Sequence, residues 1–106
     1  MPTRALTSAT PVSTTIKYEG QEAGYTFAAT KNKNVTFNVT KFNFTDDGSG
    51  GSAYLYFYEP GSSSAYATPG FSADGTYSFK TPVGGTWSIA LVPYSASVGS
   101  LTLTMK

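Results

Sequence analysis

From Asn34 to Phe44 the chain reads NVTFNVTKFNF, and its first half alternates without a break: Val35, Phe37 and Val39 are apolar, while Thr36, Asn38 and Thr40 are polar. Successive side chains of a strand point to opposite faces, so a period of two describes a strand with one dry face and one wet face. Past Lys41 the apolar positions become Phe42 and Phe44, one residue out of phase. An extra residue in one strand of an antiparallel pair resets the alternation in this way, and the pattern predicts a β-bulge near Thr40 and Lys41.

The same period recurs in short runs rich in Val, Ile, Thr and aromatic residues, the types that suit a pleated surface. VSTTIKYE (12–19) is closed by Gly20, and GYTFAAT (24–30) places Tyr25, Phe27 and Ala29 on one side. SAYLYFYE (52–59) sets Ala53, Leu55 and Phe57 against Tyr54, Tyr56 and Tyr58. TYSFKT (76–81) pairs Tyr77 with Phe79. GTWSIALVPY (85–94) turns Trp87, Ile89 and Leu91 inward, and SLTLTMK (100–106) does the same with Leu101, Leu103 and Met105. Between these runs lie KNKN, the loop DDGSGG (46–51), PGSSSAYATPG (60–70) with room for a short edge strand around Ala65 to Ala67, and TPVGG. Such segments are turns and loops by composition.

No stretch keeps a helical period, so the prediction is an all-β, antiparallel sandwich of seven or eight strands. Its expected core is Val35, Phe37, Val39, Leu55, Phe57, Phe79, Trp87, Ile89, Leu91, Leu101 and Leu103. Residues 1–11, small and polar with a proline near each end, read as a leader or linker that lies along a single domain spanning 12–106.

Composition removes most chemistry. The 106 residues include no cysteine and no histidine, which excludes disulfides, thiolate nucleophiles, imidazole bases and most zinc or copper sites. Serines are plentiful, but no imidazole exists to activate one, and no enzyme activity is expected. Charged residues make up 12% of the chain, about half the usual share. The seven basic and six acidic side chains are scattered, with Lys31 and Lys33 the densest basic pair, so nucleic acid is not an expected partner. No apolar run approaches the roughly 18 to 20 residues that span a bilayer, and MPTRALTSATP lacks the apolar centre of a signal peptide. The chain reads as a domain excised from an extracellular protein, without its signal peptide and with no membrane partner.

The ordered pieces GQEAGYTFAAT, VTFNV, AYLYFYEPGSSS and TPVGGTWSIALVPYSASVGSLTLTMK together resemble the bacterial pre-peptidase C-terminal domain and its relatives, over roughly Val12 to Lys106. The resemblance implies a jelly-roll-like β-sandwich attached to secreted bacterial hydrolases, peptidases and surface proteins, with no catalytic residues of its own. Some relatives, the collagen-binding domains of clostridial collagenases, hold polymeric substrate through surface tyrosines and take calcium at an acidic segment near the N-terminus. In this chain the first eleven residues contain no acid.

Five tyrosines are the candidate ligand-binding residues. Tyr54, Tyr56 and Tyr58 form a stripe on which the apolar face of a sugar can rest while the phenol stays wet. The same stripe can equally serve cross-strand pairing within the sheet. Tyr66 and Tyr94, with Phe71, fall in loops, where they either rim a site or fold back over the core. Asp46 and Asp47 are the best oxygen donors for calcium, set against the plainer reading of a solvated turn, since calcium takes six to eight ligands. No other cofactor is expected. NVT at 34, NVT at 38 and NFT at 43 match the N-glycosylation pattern and read as polar positions on a wet strand face.

The resulting expectation is a non-catalytic accessory domain of a secreted bacterial hydrolase, peptidase or surface protein, aiding substrate attachment, spacing or stability. Its partners would be a polysaccharide or extracellular protein polymer and an attached catalytic domain. Two alternatives are a carbohydrate-binding module with a tyrosine platform and a self-association domain.

Overall fold

The computed structural model describes residues 3–18, 20–46, 49–94 and 97–106. Ten strands run through them: β1 (Thr3–Ala5), β2 (Val12–Ile16), β3 (Ala23–Ala29), β4 (Asn34–Asp46), β5 (Ser49–Gly50), β6 (Ala53–Tyr58), β7 (Gly70–Phe71), β8 (Gly75–Lys80), β9 (Gly85–Pro93) and β10 (Val98–Met105). Three of these are only two or three residues long. The other seven are the strands that the alternation predicts. No helix long and apolar enough to cross a membrane occurs among the described residues.

Two sheets face each other. The first has the order β1-β3-β9-β6-β7, and the second runs β2-β10-β4, with β8 and β5 pairing successive parts of the free edge of β4. Every pairing is antiparallel except β1 with β3. The bulge stands where the phase shift places it. Lys41 adopts a φ of 52°, and the β4–β10 register slips between Ser100 and Thr102. Phe44 consequently stays in the core although it is out of step with Val39.

An aromatic cluster fills the space between the sheets. Trp87 is fully buried, stacks on Phe27 at 5.9 Å and donates its Nε1–H to the Val83 carbonyl at 3.1 Å. Phe37 meets Phe27 and Phe57 edge-on at 5.0 Å each, the geometry aromatic quadrupoles favour. Ten of the eleven expected core residues are buried, and Phe79 is only half-buried. Its strand, β8, is an edge strand, so the ring sits at the open side of the sandwich.

Residues 3–9 are woven into the sandwich. β1 pairs with β3, the Leu6 N–H donates to Thr26, Leu6 is buried among core residues, and the Ala9 N–H reaches the Met105 carbonyl of the other sheet. A side-chain hydrogen bond also joins the sheets: the hydroxyls of Thr14 on β2 and Tyr25 on β3 lie 2.5 Å apart in the interior. Arg4 covers the outer edge of β2, donating to the Ser13 carbonyl at 2.7 Å. Capping an edge carbonyl in this way removes one group that a foreign strand could pair with.

Candidate functional site

The outer face of the first sheet carries the tyrosine row. Tyr54, Tyr56 and Tyr58 alternate with the buried Ala53, Leu55 and Phe57, so the pleat alone turns the phenols outward, where each remains half-buried by its neighbours. Across the ladder from them lie Val92, Ala90 and Ser88 of β9, and beyond Ala90 and Ser88 lie Gly24 and Thr26 of β3. The tyrosines therefore stand as a ridge beside a low, uncharged floor.

Tyr94 extends this ridge. The turn after β9 is tied to the start of β6 by the Tyr94 N–H donating to the Ser52 carbonyl, and the Tyr94 ring comes to 6.1 Å from Tyr54 at an interplanar angle of 67°. Tyr94 is 56% exposed. Tyr54 and Tyr56 are 6.4 Å apart with their planes at 82°. The rings interlock edge to face and do not form one coplanar surface. On the other flank the Tyr54 ring lies across Gly70 of β7, where a β-carbon would stand 2.7 Å from its Cε1. Ser52, Tyr54, Gly70, Phe71 and Ser72 line a shallow, open cleft of about 130 Å3 there.

Tyr66 does not join this group. It lies against Phe79 at 5.6 Å and edge-on to Trp87 at 5.3 Å, closing the open side of the sandwich with Tyr77. The Tyr66 N–H donates to Phe57, and Phe57 N–H to Ala67, so this loop runs along β6 as the expected short edge segment. Burial pushes the Tyr77 phenol above its ordinary pKa, with the neighbouring Tyr66 acting in the same direction. Phe71 is half-buried and packs over Gly75. Of the calcium candidates, Asp46 ends β4 and Asp47 lies outside the described residues. Among the described residues no group of three or more carboxylates is gathered to hold an ion.

The fold and the site together define a small two-sheet β-sandwich with an aromatic patch on one outer face. No family model matches the sequence, and no curated protein matches it. Solved structures match over nearly the whole length. The pre-peptidase C-terminal domain of collagenase from Bacillus anthracis superposes with a TM-score of 0.75 at 15% identity, covering 99% of this chain and 95% of its own. PliG of Aeromonas hydrophila, a periplasmic inhibitor of g-type lysozyme, gives a TM-score of 0.63 at 17% identity, over 98% of this chain and 96% of that one. PliG of Salmonella Typhimurium gives 0.54 at 15% identity, over 98% of each. The chain has the sandwich fold of the pre-peptidase C-terminal domain, as the order of its motifs suggests.

Proposed function

We propose that this chain is a non-catalytic accessory domain of a secreted bacterial protein, attaching its parent to an extracellular protein polymer through Tyr54, Tyr56, Tyr58 and Tyr94. The observation that carries this reading is the solvent-facing tyrosine ridge continued by Tyr94 from a separate loop, since sheet propensity accounts for tyrosines in a strand but not for one in a turn laid against them. Tyrosine offers a large contact area with few rotatable bonds and a polar tip, which suits it to recognition surfaces.

The ring angles favour a protein partner over a flat polysaccharide. With Tyr54 and Tyr56 at 82°, a sugar chain lying flat on one ring meets the other edge-on. A knobbed surface accepts side chains between such rings. Support for the accessory role comes from the like-folded neighbours: one is a domain of a collagenase, and two are periplasmic inhibitors of g-type lysozyme. Fold likeness at this identity carries no residue roles across, so the tyrosines stand on their own geometry.

The test is retention of the domain, fused to a fluorescent reporter, on a panel of insoluble polymers: fibrillar proteins, cellulose, chitin and peptidoglycan. Retention on at least one protein polymer, lost when Tyr54, Tyr56 and Tyr94 are all changed to alanine, is expected. Retention on polysaccharides alone supports the sugar-platform alternative, and equal retention of the triple variant on every polymer removes the tyrosine face from the account.

A further inference from the structure

The second sheet has a break in its pairing, and a groove lies at the break. The edge of β4 that faces away from β10 is paired with β8 from Asn34 to Val39 and with β5 at Thr45 and Asp46. Between those stretches the bulge at Lys41 turns the strand, and none of the described strands pairs that edge. The Phe42 N–H donates there to Asp74 Oδ1 at 2.8 Å, a carboxylate taking the place of a strand. Beside this contact Asn38, Thr40, Asp74, Thr76 and Thr104 line an open, shallow groove on the outer face of the sheet, across β10, β4 and β8.

The carboxylate and the amide in the groove are held in place. One oxygen of Asp74 is engaged by Phe42, which fixes the carboxylate and leaves the second oxygen as an acceptor. Asn38 Oδ1 accepts from the Thr76 hydroxyl at 2.9 Å, which sets the amide and leaves its NH2 group as a donor. Thr40 and Thr104 add hydroxyls that can do either. Groups pre-positioned by neighbours bind without the entropy cost of being ordered by the ligand.

This set selects a chemical class. One carboxylate is too few for calcium and repels a phosphate. The amide and hydroxyls disfavour an apolar ligand, which would leave them unpaired. A carboxylate oxygen, an amide donor and flanking hydroxyls match the alternating donors and acceptors of adjacent ring hydroxyls. We propose that the groove across the outer face of β10, β4 and β8 binds a neutral sugar residue, on the face opposite the tyrosine ridge and independently of it.

The test is titration of 15N-labelled protein with cellotetraose, maltotetraose and chitotetraose, each to about 10 mM, where a 1 mM site is about 90% filled. Saturable shifts of the Asn38, Thr40, Phe42, Asp74 and Thr76 amides with at least one sugar are expected. Asp74→Asn keeps an oxygen for the Phe42 N–H, and Thr104→Val keeps the shape of the strand. Each should weaken binding about tenfold, the equivalent of one hydrogen bond of about 1.4 kcal/mol, while Tyr56→Ala leaves it unchanged. Absence of saturable shifts at these amides with all three sugars, shifts confined to β6, or unchanged affinity in both groove variants overturns the proposal.

Discussion

Removing the Tyr25 hydroxyl should loosen the seam between the two sheets. Tyr25 is 1% exposed and Thr14 is 8% exposed, and their hydroxyls lie 2.5 Å apart, joining β3 of one sheet to β2 of the other. Tyr25→Phe leaves the Thr14 hydroxyl unpartnered in the interior, a loss of about 1 to 3 kcal/mol. Thr14→Val strands the phenol at a similar cost. Replacing both leaves two apolar groups in contact, so the double variant should be more stable than the sum of the single losses implies, by about 1 kcal/mol or more. For a domain of this size 1 kcal/mol corresponds to about 5 °C in Tm. Urea unfolding followed by the fluorescence of Trp87, the one tryptophan in the chain and fully buried, measures all four proteins. A Tyr25→Phe protein as stable as the parent, or strictly additive losses, would refute the reasoning.

The same bond makes a statement about pH. Burial raises the Tyr25 phenol above its ordinary pKa of 10.0, while the hydrogen bond with Thr14 and the charge of Arg4 pull more weakly the other way. The folded protein then keeps this proton to higher pH than the unfolded chain does. The stabilisation is complete below about pH 10 and is lost as pH rises toward and through the folded pKa. Tyr77, raised mainly by burial, adds to the decline with the same sign. Tyr25→Phe should flatten that alkaline limb, and an unchanged slope contradicts the assignment.

Two glycines give further tests. A β-carbon on Gly99 would stand 1.9 Å from the Asn43 carbonyl oxygen, at a φ of 149°, so Gly99→Ala should lose about 3 kcal/mol or more in chemical unfolding. An alanine there tolerated within about 0.5 kcal/mol contradicts the close approach of β10 to β4. Gly70→Ala drives a methyl into the Tyr54 ring, a half-buried side chain at the surface rather than backbone, so stability should fall by only about 1 kcal/mol. The Tyr54 ring resonances should shift and polymer retention should weaken. Unaltered resonances would show that the ring does not lie on Gly70.

The alternation of Val35, Phe37 and Val39 was enough to orient β4, and its slip at Lys41 located the bulge, because burial on one face tolerates no register error. Leu6 was not legible as core. Three residues of β1 are too few to show a period, and its place depends on a parallel pairing with β3 that no local signal announces. The tyrosine stripe was readable as a face of β6, but its ring angles were not, since they follow from Gly70 and Tyr94, which are distant in sequence. Tyr66 and Tyr94 looked alike as loop aromatics, and they part only through tertiary contacts, one against Trp87 and the other against Tyr54. Asp74, next to Gly75, sits where a turn is expected and carries no further local signal. Its bond to Phe42 becomes meaningful only once β4 is seen to change neighbours at the bulge.

The tyrosine face is the proposed attachment surface. Binding isotherms on the protein polymer that retains the domain, compared for the parent, Tyr56→Ala, Tyr94→Ala and a Ser78→Ala control on the opposite sheet, test it directly. Central aromatics of a binding surface typically cost about 2 kcal/mol or more when truncated, so at least one tyrosine variant should bind roughly thirtyfold more weakly while Ser78→Ala matches the parent. Equal affinity for all four proteins would contradict the claim.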